Sequence, residues 1–228
     1  MKRFVIGDIH GARRALVQCL QRSAFDYEQD MLISLGDVCD GWPETKEAID
    51  ELLKIRNLTY ILGNHDFWTL EWMKYGLAEE VWLDQGGLAT IRSYHHTADP
   101  VHQNFLDKAL PYFQLENKLF VHAGIDPLKP IEEQGLQTFL WDRNLSRLVL
   151  DLMLKGIHSK LTDYDEVYIG HTPTPFGKPM HTGGVWLMDT GAGWSGVLSM
   201  MDIDTKEIYF SDPVPSLYPG IAGRKRKQ

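Results

Sequence analysis

The sequence predicts an α/β fold, and three features of the chain indicate it. Its apolar runs are short, rich in Val and Ile, and closed by Gly or a polar cluster, as buried strands usually are. The chain opens by alternating such runs with segments of helical periodicity, in the order β-α-β-α. Groups of Asp, His and Asn follow the runs, at the strand ends where ligand sites form in open α/β sheets.

The predicted strands each run directly into polar residues. They are Phe4–Ile6, Met31–Leu35, Leu58–Leu62, Lys118–Val121, Glu166–Ile169 and Val185–Met188. Apolar residues at helical spacing predict helices over Ala12–Arg22, Glu44–Ile55 and Thr138–Lys155.

The segment from about 67 to 117 has a different character, and we interpret it as an inserted cap of helix and loop. It begins with an aromatic helix and continues through a polar, irregular stretch over Thr90–Val101. Trp68, Trp72 and Trp82 are predicted to be core residues, because aromatic side chains at helical spacing usually are. Stacking on a nucleobase is the alternative.

Composition predicts one domain spanning residues 1–228, with 43% apolar residues. A net charge of -8 argues against nucleic acid as a partner. Cys19 and Cys39 form no metal or disulfide pattern, and Phe4–Ile6 is too short for a signal peptide or membrane span. We therefore expect a cytoplasmic protein that does not bind a membrane. The sequence indicates no obligate partner. The basic tail, 224–228, is interpreted as a solvated end, with a partner signal as the alternative.

The polar clusters at the strand ends consist mainly of metal-ligand residue types. They are GDIHG at 7–11, GDVCDG at 36–41, GNHD at 63–66, HAG at 122–124 and GHT at 170–172. Each alone has an ordinary explanation as a turn or a hydrogen-bonded histidine. Together they place carboxylate, imidazole and amide groups at one edge, a ligand mixture that suits Mn, Fe, Zn or Co. Asp8 and His10 are two apart on an extended segment, so they can chelate one ion.

The order of these clusters resembles the calcineurin-like metallophosphoesterase superfamily. Within it, the chain is similar to the phosphoprotein phosphatase family, which includes bacterial serine/threonine phosphatases and diadenosine tetraphosphate hydrolases. The resemblance spans Gly7 to about Gly191. It implies a four-layer αββα sandwich and two divalent transition-metal ions, with manganese expected first and Fe, Zn or Co as alternatives. The implied ligands are Asp8 and His10 for the first ion, Asp37 as the bridge, and Asn64, His122 and His171 for the second.

The resemblance also implies the mechanism: a hydroxide bridging the metals attacks phosphorus directly. His65 would be the general acid that protonates the leaving oxygen, and Asp40 would orient it and favour its charged form. Asp40 could instead be a turn-capping aspartate. Asn64 and Arg143 would contact the substrate phosphate, although a surface ion pair is the alternative for Arg143.

The sequence departs from the family pattern at Gly41, where the family typically has a phosphate-binding Arg, and at Trp42, which replaces the following Gly. Asp189 is interpreted as a carboxylate that supports a ligand histidine, with a strand-end turn as the alternative. The other histidines match no motif and receive no role: His95, His96, His102, His158 and His181.

The first functional hypothesis is a two-metal phosphoesterase of the serine/threonine protein phosphatase type, acting on a phosphorylated protein or a small phosphomonoester. The alternative substrate is a dinucleoside polyphosphate such as diadenosine tetraphosphate. The alternative of another class is an inactive metal-binding module that docks phosphorylated partners.

Overall fold

The structure is a computed structural model that describes residues 1–224. The predicted basic tail therefore lies outside the described residues except for Arg224. The described chain forms two five-stranded sheets. Among residues 1–224, no helix is both long enough and apolar enough to cross a membrane.

The first sheet has a parallel centre extended on one side by antiparallel strands. Its strands are β1 (Arg3–Ile6), β2 (Met31–Ser34), β3 (Asn57–Tyr60), β9 (Ser199–Asp202) and β10 (Ile208–Phe210), in the order β10-β9-β1-β2-β3. Strands β1, β2 and β3 pair in parallel, while β9 runs antiparallel to β1. The carboxyl ends of β1, β2 and β3 consequently lie at one edge.

The second sheet also has parallel strands at its centre. It contains β4 (Tyr112–Leu115), β5 (Lys118–Val121), β6 (Glu166–Ile169), β7 (Met180–Thr182) and β8 (Val185–Leu187), in the order β4-β5-β6-β8-β7. Strands β5, β6 and β8 are parallel, and β4 and β7 are antiparallel edges.

Strand β1 shows how the sequence builds the layers. Val5 points into a buried cluster shared by both sheets, whereas Phe4 and Ile6 point into the cluster beneath the helices of the first sheet. Stacked Phe120 and Tyr168 rings, with centroids 4.8 Å apart, belong to the cluster between the sheets. A third apolar cluster joins the second sheet to its own helices. The predicted four-layer αββα sandwich is confirmed.

The helices occupy both outer layers and the region between β3 and β4. They are α1 (Arg13–Arg22), α2 (Thr45–Leu52), α3 (Asn64–Tyr75), α4 (Glu80–Trp82), α5 (Leu88–Ser93), α6 (Pro100–Asp107), α7 (Leu136–Trp141), α8 (Asn144–Leu154) and α9 (Val214–Leu217). A π-helical turn, Leu83–Gly87, joins α4 to α5, and Ile131–Glu133 forms a 3-10 turn.

The six predicted strands are all present: β5 and β6 have the predicted ends, and the ends of the other four differ by no more than two residues. The prediction of one helix over Thr138–Lys155 is wrong, because the chain breaks between α7 and α8. Asp142 has extended backbone angles there, and its carboxylate accepts the N–H groups of Asn144 and Leu145 at 3.0 and 3.2 Å. An aspartate that caps a helix start in this way favours a break over a continuous helix.

The prediction of an irregular stretch over Thr90–Val101 is also partly wrong. Thr90 lies within α5, and α6 begins at Pro100 with Asp99 capping it through a 2.9 Å bond from the Val101 N–H. Leu110 pairs by its backbone with Tyr60 and Leu62, which ties the end of this segment to β3.

Candidate active site

The polar clusters predicted from the sequence all lie where the carboxyl ends of the two sheets meet. The loops after β1, β2, β5 and β6 and the first turn of α3 carry the site residues. The structure brings together every predicted metal ligand: Asp8, His10, Asp37, Asn64, His122 and His171 are all buried.

The ligand atoms form two overlapping groups. Asp8, His10 and Asp37 offer atoms that all lie within 4.8 Å of one another, and Asp37, His122 and His171 do the same. Asp37 belongs to both groups, as a bridging ligand would. Its Oδ2 lies 3.8 Å from His10 Nε2 and 3.4 Å from His122 Nε2.

Hydrogen bonds fix the histidine rings so that one nitrogen faces the centre of the cluster. The Nδ1 atom of His10 lies 3.0 Å from the carbonyl of Cys39, and that of His122 lies 2.8 Å from the carbonyl of Leu35. Because a carbonyl only accepts, each Nδ1 carries the proton and each Nε2 keeps its lone pair. This is the tautomer that a metal-binding histidine requires.

Several groups then lack the partner that a cation would supply. His122 Nε2 lies 3.0 Å from Asn64 Oδ1, which places two acceptor atoms opposite each other. In the part of the chain that the structure describes, His171 Nε2 is buried without any hydrogen-bond partner. Nitrogen and oxygen donors arranged in this way fit divalent transition-metal ions.

Electrostatics support the same interpretation. Burial raises the pKa of Asp8 and Asp37 well above the usual value, and neighbouring carboxylates add to the rise. Burial lowers the pKa of His10, and it lowers that of His122 to about 3. Buried carboxylates that repel one another, beside histidines that stay neutral, need positive charge from another source.

The ligand loops hold strained backbone conformations. His10, Asp37, Asp40 and His171 have φ angles of 53°, 53°, 71° and 63°, in the left-handed region. Such residues typically cost about 1–3 kcal/mol each and occur where a site demands a fixed side-chain direction. Asp66 holds the Asp37 turn, because its carboxylate accepts the N–H groups of Asp37, Val38 and Cys39 at 2.7, 3.0 and 3.2 Å.

The predicted catalytic pair is also assembled. His65 Nδ1 lies 2.6 Å from Asp40 Oδ2, and the His65 backbone N–H donates to Asp37 Oδ1 at 2.9 Å. Asp40 also accepts from Trp82 Nε1 at 2.7 Å and from Thr90 Oγ1 at 2.8 Å. Burial raises the pKa of Asp40 to about 8, although the Thr90 and Trp82 hydrogen bonds oppose the rise.

One electrostatic expectation is not met in this structure. The sequence predicts that Asp40 favours the charged form of His65, but burial lowers the pKa of His65 well below its usual value, and the positive charge of Arg224 lowers it further. In this structure, therefore, Asp40 fixes the orientation of the His65 ring but does not favour its charged form.

Arg143 borders the cluster on the side of His171. Its Nη1 donates to Thr172 Oγ1 at 3.1 Å and to the His171 carbonyl at 3.4 Å, so its bonding partners are groups of the site. Asp189 has a different role from its main interpretation. Its Oδ1 accepts the Gly191 N–H at 2.9 Å, as in the alternative interpretation of a strand-end turn. The Nδ1 atoms of His10 and His122 are bonded to backbone carbonyls instead of to Asp189.

Sequence reasoning missed three residues that contact the predicted site. Trp82 is 1% exposed, as a core residue should be, but its indole also bonds Asp40. Thr90 bonds the same carboxylate from α5. Arg224 reaches the cluster from the far end of the chain, with Nη1 3.1 Å from His10 Nε2. The sequence signalled this arginine only as the first residue of a basic run.

An αββα sandwich with a buried cluster of aspartate and histidine between its sheet edges offers the donor groups that metal-dependent hydrolases use. A family model for calcineurin-like phosphoesterases matches residues 1–195. The chain therefore belongs to that family, whose members are metal-dependent hydrolases of phosphoric esters, and the resemblance found in the sequence is confirmed.

Relatives with two kinds of named activity are similar to this chain over most of their length. A symmetrical bis(5'-nucleosyl)-tetraphosphatase of Pseudomonas fluorescens is 25% identical over 97% of this chain and 99% of its own length. Serine/threonine-protein phosphatase 1 of Salmonella typhimurium is 29% identical over 88% of this chain and 91% of its own length. A crystal structure whose name provisionally assigns it to the diadenosine tetraphosphatases shares the fold, with a TM-score of 0.71, 18% identity and 93% coverage of each chain.

Proposed function

We propose that this protein is a phosphomonoesterase of the serine/threonine phosphatase type that uses two divalent transition-metal ions, manganese first among them. The observation that carries the proposal is the 2.6 Å hydrogen bond between His65 and Asp40, next to Asp37. A proton donor fixed beside the shared metal ligand is what an alkoxide leaving group requires.

The residues divide the work as follows. Asp8, His10 and Asp37 would hold one ion, and Asp37, Asn64, His122 and His171 the other. The ions supply an acidified water for attack and neutralise charge on the phosphoryl group. His65 would perform this role as the imidazolium, which the negative charge of a bound phosphoryl group favours: Nε2 would give its proton to the leaving oxygen as the P–O bond breaks, while Nδ1–H stays bonded to Asp40. Arg143 would donate to a phosphoryl oxygen, as its guanidinium geometry suits.

A dinucleoside polyphosphate is the second candidate substrate, because an aromatic cleft adjoins His65. The cleft has a volume of about 250 Å³, and Phe67, Trp68, Trp82 and Trp141 form its apolar walls. The Trp68 ring lies 5.2 Å from the His65 ring. Such walls suit the stacking of a nucleobase, but Glu79 also lines the cleft and would repel a long polyphosphate.

Substrate comparison tests the proposal directly. We expect manganese-loaded protein to hydrolyse a phosphoserine peptide with a higher kcat/KM than diadenosine tetraphosphate. Trp141→Ala should leave the peptide rate within about twofold, because Trp141 lines the cleft and contacts the rings of Phe67 and Trp68. A preference for the dinucleotide that Trp141→Ala abolishes would instead establish the second candidate.

Two further variants test the assigned roles. Asp37→Asn should lose bound metal and activity together, whereas His65→Ala should keep the metal and lose phosphoserine hydrolysis by about 100-fold or more. His158→Ala is the matched control, since His158 is exposed and its Nδ1 lies 3.1 Å from Thr182 Oγ1. Wild-type protein that holds both metals yet turns over no phosphoester would favour the docking-module alternative.

A further inference from the structure

The C-terminal segment turns back onto the candidate active site and is anchored there. After α9, the Tyr218 ring stacks on Trp42, with centroids 5.1 Å apart and planes inclined by 23°. Gly223 packs so closely against the Trp42 ring that a Cβ atom there would lie 2.8 Å from it. The Arg224 N–H then donates to the Gly193 carbonyl at 2.9 Å. These contacts fix the backbone from which the Arg224 side chain extends.

The Arg224 side chain occupies a channel that glycines leave open. A Cβ atom at Gly41 would lie 3.1 Å from Arg224 Cγ, and one at Gly86 would lie 3.2 Å from it. Any side chain at position 41 would also adopt a φ of 94°, which strains every residue except glycine. The guanidinium lies 4.5 Å from the centre of the Trp194 ring, and Nη2 donates to Gln85 Oε1 at 3.2 Å.

One further donor of Arg224 contacts a predicted metal ligand, and another has no acceptor. Its Nη1 donates to His10 Nε2 at 3.1 Å. Among the described residues, its Nε is buried and has no hydrogen-bond partner. His10 Nε2 has a single lone pair, so a cation bound to that nitrogen would leave Nη1 without its acceptor as well. Nη1 and Nε would then both lack an acceptor, and a phosphoryl oxygen bound beside His10 could accept from Nη1.

We propose that Arg224 binds the phosphoryl group of the substrate, and that it takes over the role of the arginine that the family carries where this chain has Gly41. The inference rests on the proposed function. Both departures from the family pattern then have one explanation: Gly41 makes room for the Arg224 stem, and Trp42 provides the surface that anchors the segment before it.

Arg224 and Arg143 contact different predicted metal ligands. Arg224 contacts His10, whereas Arg143 contacts the backbone of His171. Two guanidiniums placed in this way can each donate to a different oxygen of one phosphoryl group. The competing interpretation is that Arg224 only blocks the His10 nitrogen. Removal of Arg224 would then tighten metal binding and raise the rate.

The experiment measures phosphate recognition and turnover separately in Mn-loaded wild type, Arg224→Ala and Arg224→Lys. Inorganic phosphate binding is measured by calorimetry, its inhibition constant and the KM come from p-nitrophenyl phosphate kinetics, and bound metal is determined for each variant. We expect Arg224→Ala to weaken phosphate binding and raise KM by roughly 10- to 100-fold with metal content unchanged. Arg224→Lys should fall between, because an ammonium keeps the charge and loses the planar fork.

Arg56→Ala is the matched control, since Arg56 is an exposed arginine just before β3, at the opposite end of the strands from the site. Phosphate binding and KM in Arg224→Ala within twofold of the wild type would overturn the inference. A higher rate or tighter metal binding in Arg224→Ala would overturn it in favour of the blocking contact. If the wild type binds phosphate through Arg224 but hydrolyses no phosphoester, the inference stands while the proposed function fails.

Discussion

Asp40 shows how one buried residue can fix another. Its side chain is fully buried, and its φ of 71° turns the carboxylate towards His65. The ring of His65, the indole of Trp82 and the hydroxyl of Thr90 all donate to it. Burial raises the pKa of Asp40 to about 8, and the hydrogen bonds from Thr90 and Trp82 oppose that rise without cancelling it.

Asp40→Asn should therefore act on the leaving group rather than on metal binding. An amide keeps the size of the side chain but replaces one acceptor oxygen with a donor, so the His65 ring loses its fixed orientation. We expect kcat for a phosphoserine peptide to fall about 100-fold. Hydrolysis of p-nitrophenyl phosphate should fall far less, because p-nitrophenolate leaves without a proton.

Steady-state kinetics on both substrates, with metal content measured alongside, checks this prediction. Thr162→Ala provides a control, because Thr162 is a buried hydroxyl that bonds Tyr164 and not the site. Equal losses on the two substrates would contradict a role for Asp40 in proton transfer.

At the scale of elements, the helical turns over 80–93 support the site from outside the sandwich. Trp82 and Thr90 come from this segment, and Gly87 packs closely against the Trp82 indole. A Cβ atom at Gly87 would lie 2.5 Å from Trp82 Cε2, so no side chain fits without moving the indole. The segment therefore couples helix packing to the position of Asp40.

Gly87→Ala should lower the free energy of unfolding by about 1–3 kcal/mol, the usual cost of overpacking a buried contact. It should also reduce kcat for the phosphoserine peptide, because the Trp82 indole shifts away from Asp40. Gly135→Ala is the control, since no atom lies within 4 Å of its added Cβ. Urea unfolding of both variants measures the difference. Equal stabilities would contradict the prediction, because they would mean that the Trp82 indole can move without a cost in free energy.

Glu51 joins α1, α2 and the loop before β2. Its carboxylate accepts from Tyr27 Oη at 2.8 Å, from Arg13 at 3.0 Å and from Lys54 at 2.9 Å. Burial acts to raise the pKa of Glu51, but the hydrogen bonds from Lys54, Tyr27 and Arg13 outweigh it, so the pKa is lowered. A lowered carboxylate pKa stabilises the fold above the unfolded pKa, and the contribution is lost as pH falls through the folded pKa.

Glu51→Gln should accordingly cost about 1 kcal/mol at pH 7. The difference from the wild type should shrink as the pH falls below about 4.3, the ordinary pKa of an unfolded glutamate. Urea unfolding of both proteins at a series of pH values tests this. A difference that stays constant down to low pH would mean that the charge of Glu51 contributes nothing.

At the scale of the whole molecule, the sequence predicts what local patterns determine. The six parallel or central strands carry contiguous apolar residues, and the ligand residues directly follow them, so both could be predicted. The added strands lie at sheet edges or in antiparallel pairs, and polar residues interrupt the apolar run in some of them, as Gln114 does in β4 and His181 in β7.

Long-range contacts account for the parts of the site that the sequence did not predict. Trp82 and Thr90 reach Asp40 across 42 and 50 residues, and Arg224 reaches His10 across 214. No local pattern encodes such contacts. The break between α7 and α8 was missed for a different reason: apolar periodicity continues through Asp142, and only the capping preference of aspartate ends the helix.

Metal removal should destabilise the whole protein, because the site joins both sheets. Ligands come from loops after β1 and β2 in one sheet and after β5 and β6 in the other, so bound cations would link the two halves of the sandwich. Burial raises the pKa of Asp8 and Asp37, which shows that the folded state disfavours their charge when no cation is present. Ions that bind only the folded state at about 100 times their dissociation constant add about 2.7 kcal/mol.

For a chain of this size, that contribution corresponds to a rise in Tm of roughly 5–10 °C. We expect chelator-treated protein to regain this difference when manganese is added, as measured by calorimetry at several manganese concentrations. Asp37→Asn should lose most of the shift, because Asp37 belongs to both ligand groups. Asp40→Asn, which changes the neighbouring carboxylate outside those groups, should keep it. If neither chelator nor manganese changes the Tm of the wild type, a metal site shared by the two sheets is contradicted.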